Sequence, residues 1–154
     1  MLYYTEADLS PLEVPEEQAL CIYISGCKNH CADCHYPELQ RTDYGDPLKE
    51  NMEKLLRLYL NYCTCICFMG EGENSTESRK EMRQYAMMAH ACGRSTCLYS
   101  GRDTQIEDWM DCFDYIKLGS YQSKYGPLSQ RGTNQKMYKR IGDRYQDVTV
   151  WFWD

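Results

Sequence analysis

The chain has 154 residues, which suits one domain with a buried core. Its formal net charge is −6 with no basic block, which argues against nucleic acid or an anionic membrane as the main partner. Hydrophobic residues make up 43% and charged residues 26%, a composition that excludes wholesale disorder.

Residues 1–18 read as irregular, with Pro11, Pro15 and several acids. No apolar run there resembles an export signal and no segment approaches a membrane span, so the expected compartment is the cytoplasm. Residues 20–25, Leu-Cys-Ile-Tyr-Ile-Ser, form a first buried strand, and residues 26–47 a long connection of the kind that usually carries function. A helix is expected over 48–62, where Leu48, Met52, Leu55, Leu56, Tyr59 and Leu60 recur at helical spacing. The second strand, 63–69, ends in Gly70-Glu71-Gly72-Glu73. Asn74 or Ser75 then caps a helix running to about Cys92, and Gly93 closes it. A third strand is expected over 96–100, a short helix from Asp103 containing Ile106, Trp109 and Met110, and a fourth strand over 113–118. Residues 120–135 are rich in turn formers, 137–141 is open between a short strand and a turn, and 148–153 reads as a last strand.

Alternating strands and helices, with continuous apolar strands, predict a parallel α/β sheet with right-handed crossovers in a single domain, 1–154, whose core spans about 19–153. Ligands of such sheets bind beyond the carboxyl ends of the strands. The loops beginning at Gly26, Gly70, Ser100-Gly101 and Gly119 all follow strand ends, so they are expected to gather on one edge.

The first of those loops holds Cys27, Cys31 and Cys34 in a Cys-x3-Cys-x2-Cys spacing. Three thiolates so close in sequence can reach one metal centre. A cubane iron–sulfur cluster takes four cysteine ligands when closed, so three leave one iron open for chemistry. Zinc completed by His30 or His35 is the alternative, but a structural zinc site usually pairs two knuckles, and no second Cys-x2-Cys follows. Cys63, Cys65 and Cys67 alternate along one strand and share a face. With Cys21, Cys92, Cys97 and Cys112 they read mostly as buried thiols packing as small hydrophobes. His90 reads as structural, and Trp151-Phe152-Trp153 as packing or a partner contact.

The triad after a first strand resembles the radical S-adenosylmethionine (SAM) enzymes. The resemblance implies a partial (β/α) barrel with parallel strands. It implies a [4Fe–4S] cluster on Cys27, Cys31 and Cys34, with SAM chelating the open iron. By the same resemblance the backbone around Asp33, Cys34 and His35 lines the adenine pocket, with Asp33 where an aromatic residue often stands. The loop Gly70, Glu71, Gly72, Glu73 is similar to the superfamily's Gly-Gly-Glu element, which binds the SAM amino group. Phe68-Met69-Gly70, Leu98-Tyr99-Ser100-Gly101 and the run from Tyr115 to Thr133-Asn134-Gln135 are similar to one subgroup, the activating proteins of anaerobic (class III) ribonucleoside-triphosphate reductase. Asn134 and Gln135 are open between a turn and a ligand contact.

That resemblance implies an enzyme that cleaves SAM reductively and places a glycyl radical on the reductase. It needs no catalytic side chain beyond the cluster and SAM, and it implies a flavodoxin- or ferredoxin-type electron donor. The alternatives are an activator of another glycyl-radical enzyme, a small-molecule radical SAM enzyme, and a zinc-binding interaction module without catalysis.

Overall fold

A computed structural model describes residues 1–26 and 45–153. Among them, eight strands form one sheet: β1 (Tyr3–Ser10), β2 (Ala19–Ile24), β3 (Asp46–Pro47), β4 (Cys65–Met69), β5 (Ser95–Tyr99), β6 (Tyr115–Leu118), β7 (Lys136–Ile141) and β8 (Arg144–Asp147). Their spatial order is β3-β1-β2-β4-β5-β6-β7-β8. The described α-helices are α1 (Met52–Tyr59) and α2 (Thr76–Ala91).

The centre of the sheet is parallel. β2, β4, β5 and β6 run side by side, with Cys21 opposite Cys67 and Cys67 opposite Cys97. The expected partial (β/α) barrel of parallel strands is corrected at both flanks, because β1 and β3 pair antiparallel on one side and β7 and β8 on the other. The sheet is open, ending in β3 and β8. Each flank has a local cause. Gly142 adopts φ 67 in a two-residue loop between Ile141 and Arg144, which folds β7 and β8 into a hairpin. The region read as irregular contains β1, whose residues are half-covered or exposed and so carry no continuous apolar run.

Side-chain alternation divides the strands between two cores. Leu20, Ile22, Ile24, Ile66, Phe68, Leu98, Ile116 and Leu118 face α1 and α2 and pack with Leu55, Leu56, Met82, Tyr85, Ala86 and Ala89. The opposite face carries Ala19, Cys21, Tyr23, Cys65, Cys67, Cys97 and Tyr115, covered by Val14, Leu128, Met137 and Val148. Continuous apolar strands were the correct signal for a sheet covered on both sides.

Several boundaries differ from expectation. α1 starts at Met52 because Leu48 N donates to Leu2 O and Asn51 Nδ2 to Pro47 O, which hold 47–51 outside the helix. Its last turn tightens into a 3-10 segment, Leu60–Tyr62. Ser75, not Asn74, caps α2, exchanging hydrogen bonds with Ser78, and Gly93 follows at φ 75. The short helix is a 3-10 turn over Asp108–Cys112, while Asp103 instead accepts the amide and hydroxyl of Ser120. The expected strand at 148–153 is a 3-10 turn, Thr149–Phe152, because Asp147 Oδ1 accepts both the amide and the hydroxyl of Thr149 and turns the chain. No described helix is long and apolar enough to cross a membrane.

Candidate iron–sulfur site

The parallel strands bring their carboxyl ends to one edge, as expected. β2 ends at Ser25 and Gly26, β4 at Gly70–Glu73 (the second loop), β5 at Ser100–Arg102 and β6 at Gly119. Gly26, at φ 82, immediately precedes Cys27. Cys27, Cys31 and Cys34 lie outside the described residues, as do His30, Asp33 and His35.

The glycine loop closes on the root of that cysteine loop. Gly70 N donates to Tyr99 O at 3.0 Å, and a Cβ on Gly70 would stand 3.2 Å from Ile24 O. Gly72 adopts φ 62, and a Cβ there would fall 2.7 Å from Leu2 Cδ2 and 3.5 Å from Ser25 O. Gly70 is called for by its backbone conformation and by the Ile24 carbonyl, and Gly72 by its positive φ, since Leu2 Cδ2 is the end of a side chain that can shift. Ser25 is itself fixed, donating its amide to Tyr3 O at 3.0 Å.

The two acids of the loop part company. Glu73 is exposed. Glu71 is buried, and its carboxylate accepts from Ser100 Oγ at 2.6 Å, Arg102 Nε at 2.9 Å and Arg102 Nη2 at 2.8 Å. Arg102 also holds Glu107 at 2.6 and 3.1 Å, and Glu107 accepts from Trp109 Nε1 at 2.8 Å. The Arg102 guanidinium, with the Trp109 contact and against the opposing cost of burial, lowers the Glu107 carboxyl to about 2. Those same two carboxylates raise the pKa of Arg102 further. Sequence reasoning missed Ser100 and Arg102 as partners of Glu71. The available signal was a charged residue three places beyond the end of β5 on the same sheet edge.

The last in-register row on the face away from the helices is Tyr23, Met69, Tyr99 and Lys117. Lys117 is buried, donates to Gly119 O at 2.9 Å and stands 5.6 Å from the Tyr99 ring centre. Asn134 and Gln135 abut Gly119, where a Cβ would meet Gln135 Cα at 3.1 Å and Asn134 O at 3.3 Å. Asn134 Nδ2 donates to Ser120 O, while its buried Oδ1 has no hydrogen-bond partner among the described residues. Gln135 is buried in the turn that Thr133 and Gly126 close.

The remaining cysteines are not built for a metal. Cys21, Cys63, Cys65, Cys67, Cys97 and Cys112 are buried, and Cys92 is exposed. Burial pushes the Cys65 and Cys67 thiols well above their ordinary value and those of Cys97 and Cys112 up to about 11. A hydrogen bond with Cys67, then burial, raises Cys21. Among the described residues no group of three or more His, Cys, Asp or Glu could hold a metal ion. In the sequence the Cys-x3-Cys-x2-Cys spacing begins directly after Gly26, and the glycine loop packs against Ile24 and Ser25 just before it.

Comparison with known proteins bears on the same stretch. A family model described as a 4Fe-4S single cluster domain matches residues 18–118, which run from the start of β2 to the end of β6. No curated protein and no solved structure matches the chain. Iron–sulfur thus takes precedence over zinc, and the chain belongs to the family of 4Fe-4S single cluster domains.

Proposed function

We propose that the chain is a radical SAM activating enzyme whose protein substrate is the anaerobic (class III) ribonucleoside-triphosphate reductase. The observation that carries the reading is the packing of Gly70 and Gly72 against Ile24 and Ser25, at the root of the Cys-x3-Cys-x2-Cys loop of an iron–sulfur family member. Held by Cys27, Cys31 and Cys34, the cluster would supply one electron and an open iron for the reductive cleavage of SAM, the chemistry from which a glycyl radical on the reductase would arise.

The chain's own contribution is binding and shielding. Cys27, Cys31 and Cys34 hold the cluster. Gly70 and Gly72 let backbone groups approach the methionyl end of SAM, and the exposed Glu73 is the loop acid free to meet its ammonium group. Asp33, Cys34 and His35 take the adenine side by resemblance. No side-chain acid or base is needed, which suits an edge whose buried carboxylate, Glu71, is already neutralised by Arg102. A flavodoxin- or ferredoxin-type protein supplies the electron, in the cytoplasm.

The test is anaerobic reconstitution followed by mixing with the reductase, SAM and a reductant. The expected result is brown protein with about four irons per chain and a glycyl radical signal in electron paramagnetic resonance. Colourless protein with one zinc would overturn the enzyme reading. SAM cleavage without a radical on this reductase would move the substrate to another glycyl-radical enzyme or to a small molecule.

A further inference from the structure

The polar groups around Glu71 form a closed ring. Its carboxylate binds Arg102, Arg102 binds Glu107, and Glu107 faces Arg79 at 3.5 Å. Arg79 Nε donates to Asn74 Oδ1 at 2.8 Å, and Asn74 N returns to Glu71 O at 3.2 Å. Two acids and two bases balance, so the ring carries no net charge. It also ties separate parts of the edge together. Ser100 and Arg102 belong to the loop after β5, Arg79 to α2 and Glu107 to the start of the last 3-10 turn before β6. Arg102 O accepts from Gly119 N at 2.9 Å, which adds the loop after β6. Within the ring, Gly70 and Gly72 flank Glu71 and touch the end of β2.

A carboxylate with three hydrogen bonds from Ser100 and Arg102 is spent on the protein. It faces away from the role that the sequence pattern alone assigns to it. We propose that Glu71 does not contact the ligand, and that Arg102 is a positioning residue: through Glu71 it sets the backbone of the Gly70–Gly72 turn, and that backbone makes the contact. The inference depends on the SAM reading only for the identity of the ligand.

A double-mutant cycle on the purified full chain decides it, using Glu71→Gln, Arg102→Met and the double variant. The first readout is anaerobic hydrogen exchange of the peptide spanning 70–74 without SAM. The second is equilibrium binding of SAM to cluster-loaded protein. Each single change is expected to speed exchange of that peptide about tenfold and to weaken SAM about tenfold, as loss of a supporting contact does. The double change is expected to be no worse than either single one, with iron content at the wild-type level. Arg102→Lys, which keeps the charge but not the fork, should recover part of both.

If Arg102→Met leaves exchange and SAM affinity at wild-type values while Glu71→Gln weakens binding, Glu71 is a ligand contact and the proposal fails. Should Arg102→Met not fold, Glu107→Gln loosens Arg102 while leaving Glu71 in place. The proposal then requires a smaller acceleration of the same peptide, and an unchanged rate refutes it. Wild-type protein that holds a cluster but binds no SAM would sink the functional reading alone, because the exchange readout still decides the role of Arg102.

Discussion

Burial sorts the described cysteines, and the proposed cluster ligands are set apart from them in the sequence. In the sheet, Cys21, Cys67 and Cys97 stand opposite one another on adjacent strands, packed among Ala19, Tyr115 and Met137. They fill space as small hydrophobes; burial raises the Cys67 and Cys97 thiols, and a hydrogen bond with Cys67, then burial, raises Cys21. Brief alkylation of native protein at pH 8 should therefore label Cys92 among the seven described cysteines and spare the six buried ones, as mass spectrometry of the digest will show. Cys67→Ala should cost about 1–2 kcal/mol in urea unfolding through loss of packing, with iron content unchanged. Cys31→Ala should do the reverse, losing the iron while the far-ultraviolet dichroism of the sheet persists. Labelling of Cys67 as fast as Cys92, or iron loss in Cys67→Ala, would contradict the division.

Two elements at the sheet edge repay attention to backbone and charge. Gly72 combines positive φ with a neighbour inside contact distance, so Gly72→Ala should lose about 1–3 kcal/mol of stability. Gly93 has the same kind of φ but open space around it, so Gly93→Ala should cost only about 1 kcal/mol. Equal losses in thermal or urea unfolding would mean that the contact with Leu2 adds nothing. The Arg102–Glu107 pair makes a prediction in pH. The folded carboxyl sits at about 2 against an ordinary 4.5, so the unfolded chain binds the proton more readily. Its contribution is present above about pH 4.5 and is lost as pH falls toward 2. Wild type should exceed Glu107→Gln in urea midpoint at pH 6, and the gap should narrow steadily through pH 4 and 3. A gap that is constant across that range would place the effect of Glu107 in packing.

At the scale of the whole molecule, four parallel strands act as a frame that delivers four loops to one edge. The antiparallel flanks leave the sheet open, ending in β3 and β8. A cluster held by three cysteines has an exposed iron, so air should bleach the reconstituted protein, and bound SAM should slow the bleaching by covering that iron. Bleaching at the same rate with and without SAM would argue that SAM does not reach the cluster.

Much of this was legible from residues alone. The apolar runs of β2, β4, β5 and β6 and the helix between β4 and β5 are local patterns, and their order implies parallel pairing with loops at one end. The cysteine spacing is equally local, and the family match over 18–118 bears out the expectation of a 4Fe-4S cluster. The parts that escaped depend on contacts between distant segments. β1 is half-polar and becomes a strand by pairing with β2, and the β7–β8 hairpin was readable only from Gly142-Asp143, a short signal in a turn-rich stretch. Thus the sequence by itself determined a parallel α/β centre and the spacing of three cysteines that follow its first parallel strand, because both are written in neighbouring residues. Only the tertiary structure decided that Glu71 turns inward to Arg102 and Ser100, since its partners lie 31 and 29 residues away and meet it through strand pairing.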